Sequence, residues 1–147
     1  MKRAAFVCTS LILAVILLPT ARANSAQADT SFPSFWASFK LAVIKGNSKT
    51  IGNLSRFPIG VSAPANEIKD RSELRERFNE LFVIPEKVNA SECFAQNEPT
   101  RDTENNEIFT VTCRYNKGSD AAAYQFEHTK VGWRFTHFQL STTCRCR

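Results

Sequence analysis

The sequence predicts an α+β domain, with N-terminal helices packed on a strongly curved antiparallel sheet. Two observations carry that prediction. Apolar residues recur at helical spacing as far as Phe82, and beyond residue 86 the period falls to two. A third supports them: Gly46, Pro58 and Pro85 divide the first half where helices would stop, while short Gly-containing turns divide the second.

The first helix starts near Phe32, because Phe32, Phe35, Trp36, Phe39, Ala42 and Val43 form one aromatic stripe at helical spacing. Ser31 and Ser34 are both cap candidates, and Pro33 is tolerated in a first turn. Gly46 stops the helix, since it can take the left-handed conformation that ends one. Asn47 or Ser48 then caps a second helix carrying Ile51 and Leu54 inward, which Pro58 ends. Arg56-Phe57, just before that proline, is biased toward extended backbone.

A loop containing Pro64 follows. Asp70 and Glu73 have capping-box spacing, with Ser72 as an alternative cap. Leu74, Phe78, Leu81 and Phe82 form the apolar face of a third helix that ends at Pro85, and its charged residues form a solvated face. In the second half, Phe109, Val111, Cys113 and Tyr115 alternate with Thr110, Thr112 and Arg114. Tyr124, Phe126 and His128 share a face in the next strand. The last strand puts Trp133, Phe135 and His137 on one side and Phe138 and Leu140 on the other. Residues 116–119 and 130–132 are the expected hairpin turns, and 95–106 is the loop that would protrude if the protein were an inhibitor.

The chain has 147 residues. Residues 1–23 read as a signal peptide: Lys2 and Arg3, an apolar run from Ala4 to Leu18, then Ala21-Arg22-Ala23. Ala26-Gln27-Ala28 offers a second cleavage site. Residues 24–31 read as a disordered leader, 32–140 as a single domain and 141–147 as a cysteine-containing tail. Cleavage after Ala23 removes three of the 19 basic residues and leaves all 14 acidic ones, so the net charge falls from +5 to +2. That balance, without a dense basic run, argues against nucleic-acid binding. The apolar run is too short for a membrane span, so no span is expected after cleavage.

Cys93, Cys113, Cys144 and Cys146 would survive cleavage, and four thiols in an oxidising compartment suggest disulfides. Cys93 and Cys113 lie symmetrically about Thr103, so a hairpin folded there would bring them together. Pairing of Cys113 with a tail cysteine is the alternative, and the partners of Cys144 and Cys146 are open. No Cys-x-x-Cys or metal-ligand spacing to His128 or His137 appears, so neither metal nor cofactor is implied.

"FWASFKLAVIKGNSKTIGNLSRFPI", "RSELRERFNELF" and the late "GWRFTHFQL" resemble exported bacterial members of the nuclear transport factor 2-like superfamily. Asn47-Ser48 stands where an aspartate is common there, and the cysteine-rich tail is not a hallmark of that superfamily. The resemblance implies a cone: helices in a bent sheet, often around a pocket. The first helix and the strand faces would then line it with Trp36, Phe39, Phe109, Tyr124, Phe126, Trp133 and Phe135. The superfold hosts isomerases, dehydratases and binding modules, so function has to be argued from the site.

Tyr124, His128 and His137 are the candidate acid–base residues of a pocket enzyme. Alternating aromatics are also what any sheet packed on helices needs, and Glu127 has the opposite parity to His128. The expectation is therefore an exported, periplasmic or extracellular, non-enzymatic binding domain, holding a small apolar ligand in the cone or a protein or second copy on the sheet face. An isomerase- or dehydratase-like enzyme and an inhibitor or immunity protein of a periplasmic hydrolase are the alternatives.

Overall fold

The computed structural model describes residues 31–62, 65–84, 88–115, 117 and 120–141. The proposed signal peptide, most of the leader and both tail cysteines lie outside them.

Helix α1 (Phe32–Ile44) forms where the aromatic stripe predicts, with Ser31 at the cap position and Pro33 in the first turn. Gly46 follows it at φ +62°, the left-handed conformation a glycine adopts without cost. Helix α2 (Ser48–Asn53) starts from Asn47, whose side chain accepts from the Thr50 amide at 3.0 Å. Helix α3 (Arg71–Glu76) is capped by Asp70, which accepts from the amides of Ser72 and Glu73. Glu73 reaches back to the Lys69 amide at 2.8 Å, and these bonds satisfy donors a helix start would leave unpaired.

Four expectations need correction. Strand β1 (Ser55–Ser62) begins at once after α2, so Pro58 ends no helix; it lies within the strand after a cis peptide bond. Ile59 and Val61 point inward from β1 while Gly60 and Ser62 point out. The expected third helix is two: Arg77 interrupts it, and α4 (Phe78–Phe82) completes the apolar face. The Arg77 guanidinium ties Glu73 at 3.2 Å to Glu80 at 2.8 Å across that break. The expected loop at 95–106 begins instead with helix α5 (Ala90–Gln96), capped by Asn89, and contains strand β5 (Thr100–Arg101). Finally, the sheet is not wholly antiparallel.

Six strands form it, in the order β2 (Ala65–Ile68), β1, β8 (Gly132–Ser141), β7 (Asp120–Thr129), β6 (Ile108–Tyr115) and β5. The β1–β8 pair is parallel, and every other pair is antiparallel. A two-stranded ribbon, β3 (Val83–Ile84) with β4 (Val88–Asn89), leads into α5.

In the β7–β8 pair, Gln125 faces His137 and Phe126 faces Phe135, so Thr136 is an extra residue on β8. Such a bulge bends and twists its strand. It also resets the alternation: Trp133 and Phe135 are buried before it, and Phe138 is buried after it.

The helices fill the concave face of this curved sheet. Phe39 of α1 is fully buried and meets Phe126 edge-on at 4.9 Å and Phe135 at 5.4 Å. Burying one such ring stabilises the fold by about 1.5–3 kcal/mol. Phe94 of α5 joins Trp36, Phe39 and Tyr124, so α1 and the sheet share one aromatic core. The interior of the cone is thus packed with side chains.

Cys93 of α5 and Cys113 of β6 form a disulfide, with Cα atoms 5.7 Å apart. They meet by helix-on-strand packing rather than across a hairpin.

Candidate functional site

A groove of about 570 Å³ opens at the end of the domain where α1 begins. Its walls are Phe32, Pro33 and Trp36 from α1, Glu98 and Pro99 from the α5–β5 connection, Arg101 of β5, Phe109 of β6 and Trp133 of β8. The size lies within the usual range for small-molecule sites, roughly 300–1,000 Å³.

The apolar walls are rigid because they are packed from behind. Phe32 stacks on Phe109 with ring centres 3.7 Å apart and meets Trp133 edge-on at 4.9 Å. Phe109 meets Trp133 edge-on at 5.4 Å. Behind them Phe126 contacts Phe32, Phe35 and Trp36, which joins the groove wall to the core.

Two charged groups border these rings. The Glu98 carboxylate accepts from Lys40 Nζ at 2.7 Å and from Trp36 Nε1 at 2.7 Å, one on each oxygen. The Lys40 hydrogen bond, then the Trp36 one, hold its pKa below the ordinary carboxylate value. The Arg101 guanidinium lies 5.2 Å from the centre of the Phe109 ring, at cation–π distance. Among the described residues no carboxylate lies within ion-pair distance of it.

Of the residues expected to line a pocket, Trp36, Phe109 and Trp133 border the groove. Phe39, Tyr124, Phe126 and Phe135 do not; each is fully buried in the core. Sequence reasoning missed Glu98, Pro99 and Arg101 as groove residues, and placed Phe32 and Pro33 only in a helix. The dipeptide Glu98-Pro99 after a helix, followed by an extended Thr100-Arg101, was the available signal.

The acid–base candidates do not converge. Tyr124 donates its hydroxyl to the Leu81 carbonyl at 2.6 Å, and burial pushes its pKa upward. It is a core side chain with a satisfied proton. His128 sits four residues along β7, roughly 13 Å away at the rise of a strand. It is at the rim, against the Trp133 ring at 5.0 Å and with Nδ1 3.8 Å from Glu107.

His137 is on the opposite, outer face of the sheet. The expected grouping with Trp133 and Phe135 fails because Thr136 adds a residue between them. Its Nε2 lies 2.5 Å from the Ser62 hydroxyl, and its ring packs over Gly60. A Cβ at Gly60 would come within 2.3 Å of Nδ1, so the pair depends on that glycine.

The remainder of the outer face is mainly small or polar: Thr110, Thr112, Arg114, Ala121, Ala123, Gln125, Glu127 and Arg134. Glu127 is held there by Arg56 at 3.1 Å and Gln125 at 3.0 Å. Among the described residues no cluster of three potential metal ligands occurs, and no helix is long and apolar enough to cross a membrane.

No family model matches the chain, and no curated protein matches it in sequence. Among solved structures it is similar to an NTF2-like protein with a cystatin-like fold from Novosphingobium aromaticivorans. That pair shares 14% identity over 76% of this chain and 79% of the other, with a TM-score of 0.42. It is similar to an NTF2-like protein of unknown function from Pseudomonas putida, at 11% identity, 78% and 86% coverage and a TM-score of 0.44. A cystatin-like domain of unknown function from Nostoc punctiforme is similar at 8% identity, 83% and 81% coverage and a TM-score of 0.44.

Proposed function

We propose that this protein is an exported, non-enzymatic binding domain that holds a small apolar molecule in the groove between α1, β5 and β8. The observation that carries this reading is the groove itself: four aromatic side chains, two of them tryptophan, line a site of ligand size while the cone interior is filled. Sites of this kind bind through apolar walls and use a few polar groups for orientation. The Cys93–Cys113 bond is in keeping with an oxidising compartment, which agrees with the signal peptide expected at residues 1–23. The outer sheet face offers less, since its side chains are mostly small or polar.

Catalysis finds no support in the groove. Among the described lining residues the carboxylate is Glu98, which accepts from Lys40 and Trp36; His128 reaches only the outer side of the wall at Trp133, turned toward Glu107, and His137 and Tyr124 lie elsewhere. A general base has to be within reach of the proton it takes.

The test is titration with the neutral fluorescent probe N-phenyl-1-naphthylamine. Wild type should enhance its emission saturably, Phe32→Ala should weaken binding at least about tenfold, and Gln139→Ala on the outer face should not. Circular dichroism would confirm that both variants fold. Absence of enhancement in wild type, or equal enhancement in all three proteins, would overturn the reading.

A further inference from the structure

We infer that the preferred ligand is an apolar molecule ending in a carboxylate, with that carboxylate on the Arg101 guanidinium and the apolar part among Phe32, Trp36 and Trp133. This rests on the binding role proposed for the same groove and adds the charge and orientation of the ligand.

The argument compares the two charges at the groove. Glu98 is already paired: Lys40 bonds one oxygen and Trp36 the other, both at 2.7 Å, and the Lys40 ammonium balances its charge. A cationic ligand there would meet a charge already balanced and lie beside the Lys40 ammonium. Arg101 is in the other state. Its guanidinium lies near the Phe109 ring, and among the described residues it has no carboxylate partner.

The N–H donors lie along the edge of the planar guanidinium, and the ring contact at 5.2 Å gives none of them a carboxylate acceptor. A planar carboxylate matches that edge with two parallel hydrogen bonds, which a neutral amide cannot do. Arg101 also stands on β5, paired through Arg101–Phe109 to β6, so its backbone is held by the sheet rather than by a free loop. The ring beside it, Phe109, is itself fixed by Phe32 and Trp133. Cation, ring and apolar slot therefore form one continuous wall, and an acid group at one end of an apolar body satisfies all three.

Calorimetric titration with three ligands of one shape separates the possibilities: 2-naphthoate, 2-naphthamide and 2-naphthylmethylammonium. Wild type should bind the naphthoate about tenfold more tightly than the amide, and the ammonium no better than the amide. Raising salt should weaken the naphthoate alone. Arg101→Gln should erase the preference while leaving amide affinity within about twofold, and Arg101→Lys should keep part of it, because charge remains while the planar fork is lost.

If the amide or the ammonium binds as well as the naphthoate, the inference is wrong and the binding role stands. The inference also fails if the preference survives in Arg101→Gln. If none of the three ligands binds wild type, the binding role itself is wrong. Arg101→Lys keeps the test decisive should Arg101→Gln not fold.

Discussion

Cys93→Ala/Cys113→Ala should destabilise the domain by about 3.3 kcal/mol at 25 °C. That figure follows from the chain-entropy relation for cross-links, applied to a sequence separation of 20 residues. The closed segment is not a plain loop: it contains most of α5, all of β5, and the groove residues Glu98, Pro99, Arg101 and Phe109. Cys113 is nearly fully buried, so alanine adds only a small packing loss and introduces no polar atom. The assay is urea unfolding of oxidised wild type, dithiothreitol-reduced wild type and the double variant, followed by circular dichroism. Both thiol-free and reduced proteins should lose about 3 kcal/mol, which corresponds to a melting point about 10–15 °C lower for a domain of this size. A loss below about 1 kcal/mol would refute the reasoning. It would mean that α1–α5 packing and the β5–β6 ladder already restrain this segment in the unfolded ensemble, leaving the bond little entropy to remove.

Gly60→Ala should destabilise by about 1 kcal/mol, since its Cβ would come within 2.3 Å of the His137 ring and force it off Ser62. In a His137→Ala background the same substitution should change sign and stabilise by roughly 0.5–1 kcal/mol, as alanine loses less chain entropy than glycine; urea midpoints decide, and an unchanged sign defeats the argument. Acid should loosen the groove wall through Glu98. Its folded pKa is depressed, so the stability it contributes is present above its unfolded value and is lost as pH falls through the lower, folded value. Tryptophan emission should therefore shift in acid below the ordinary carboxylate range, and Glu98→Gln should abolish that transition; an identical acid profile in the variant would rule Glu98 out.

Helix and strand identities were legible where a local period or a single residue decided them. The aromatic stripe of α1, the stop at Gly46, the Asp70 cap and the alternation of β6 are all properties of neighbouring residues. The errors came where two local signals competed. At Pro58 the helix-breaking sense of proline outweighed the alternation of Ile59, Gly60, Val61 and Ser62, which correctly reads as strand. Around Asn89 a capping residue with Glu92 three positions on announced α5, but the polar stretch after it reads as loop.

The site was less legible than the fold, and for a different reason. Phe32, Glu98, Arg101, Phe109 and Trp133 come from five segments that only tertiary packing brings together. Their composition suggested an apolar pocket, but the rings expected to line it mostly fill the core instead. The histidines failed through one unseen residue: with Thr136 bulged, strict alternation assigns His137 to the wrong face.

Thr136 also separates two properties that a strand normally couples. Before it, Trp133 and Phe135 are inside; after it, Phe138 is inside and His137 outside. Removing Thr136 would leave Phe135, His137 and Phe138 in unbroken alternation, with the same side chains on the same sides. What would go is the bend. The depth to which this sheet wraps α1 is thus set by counting residues, not by exchanging them, and a single-codon insertion or deletion at this point is a means of reshaping the cone without rewriting its interior.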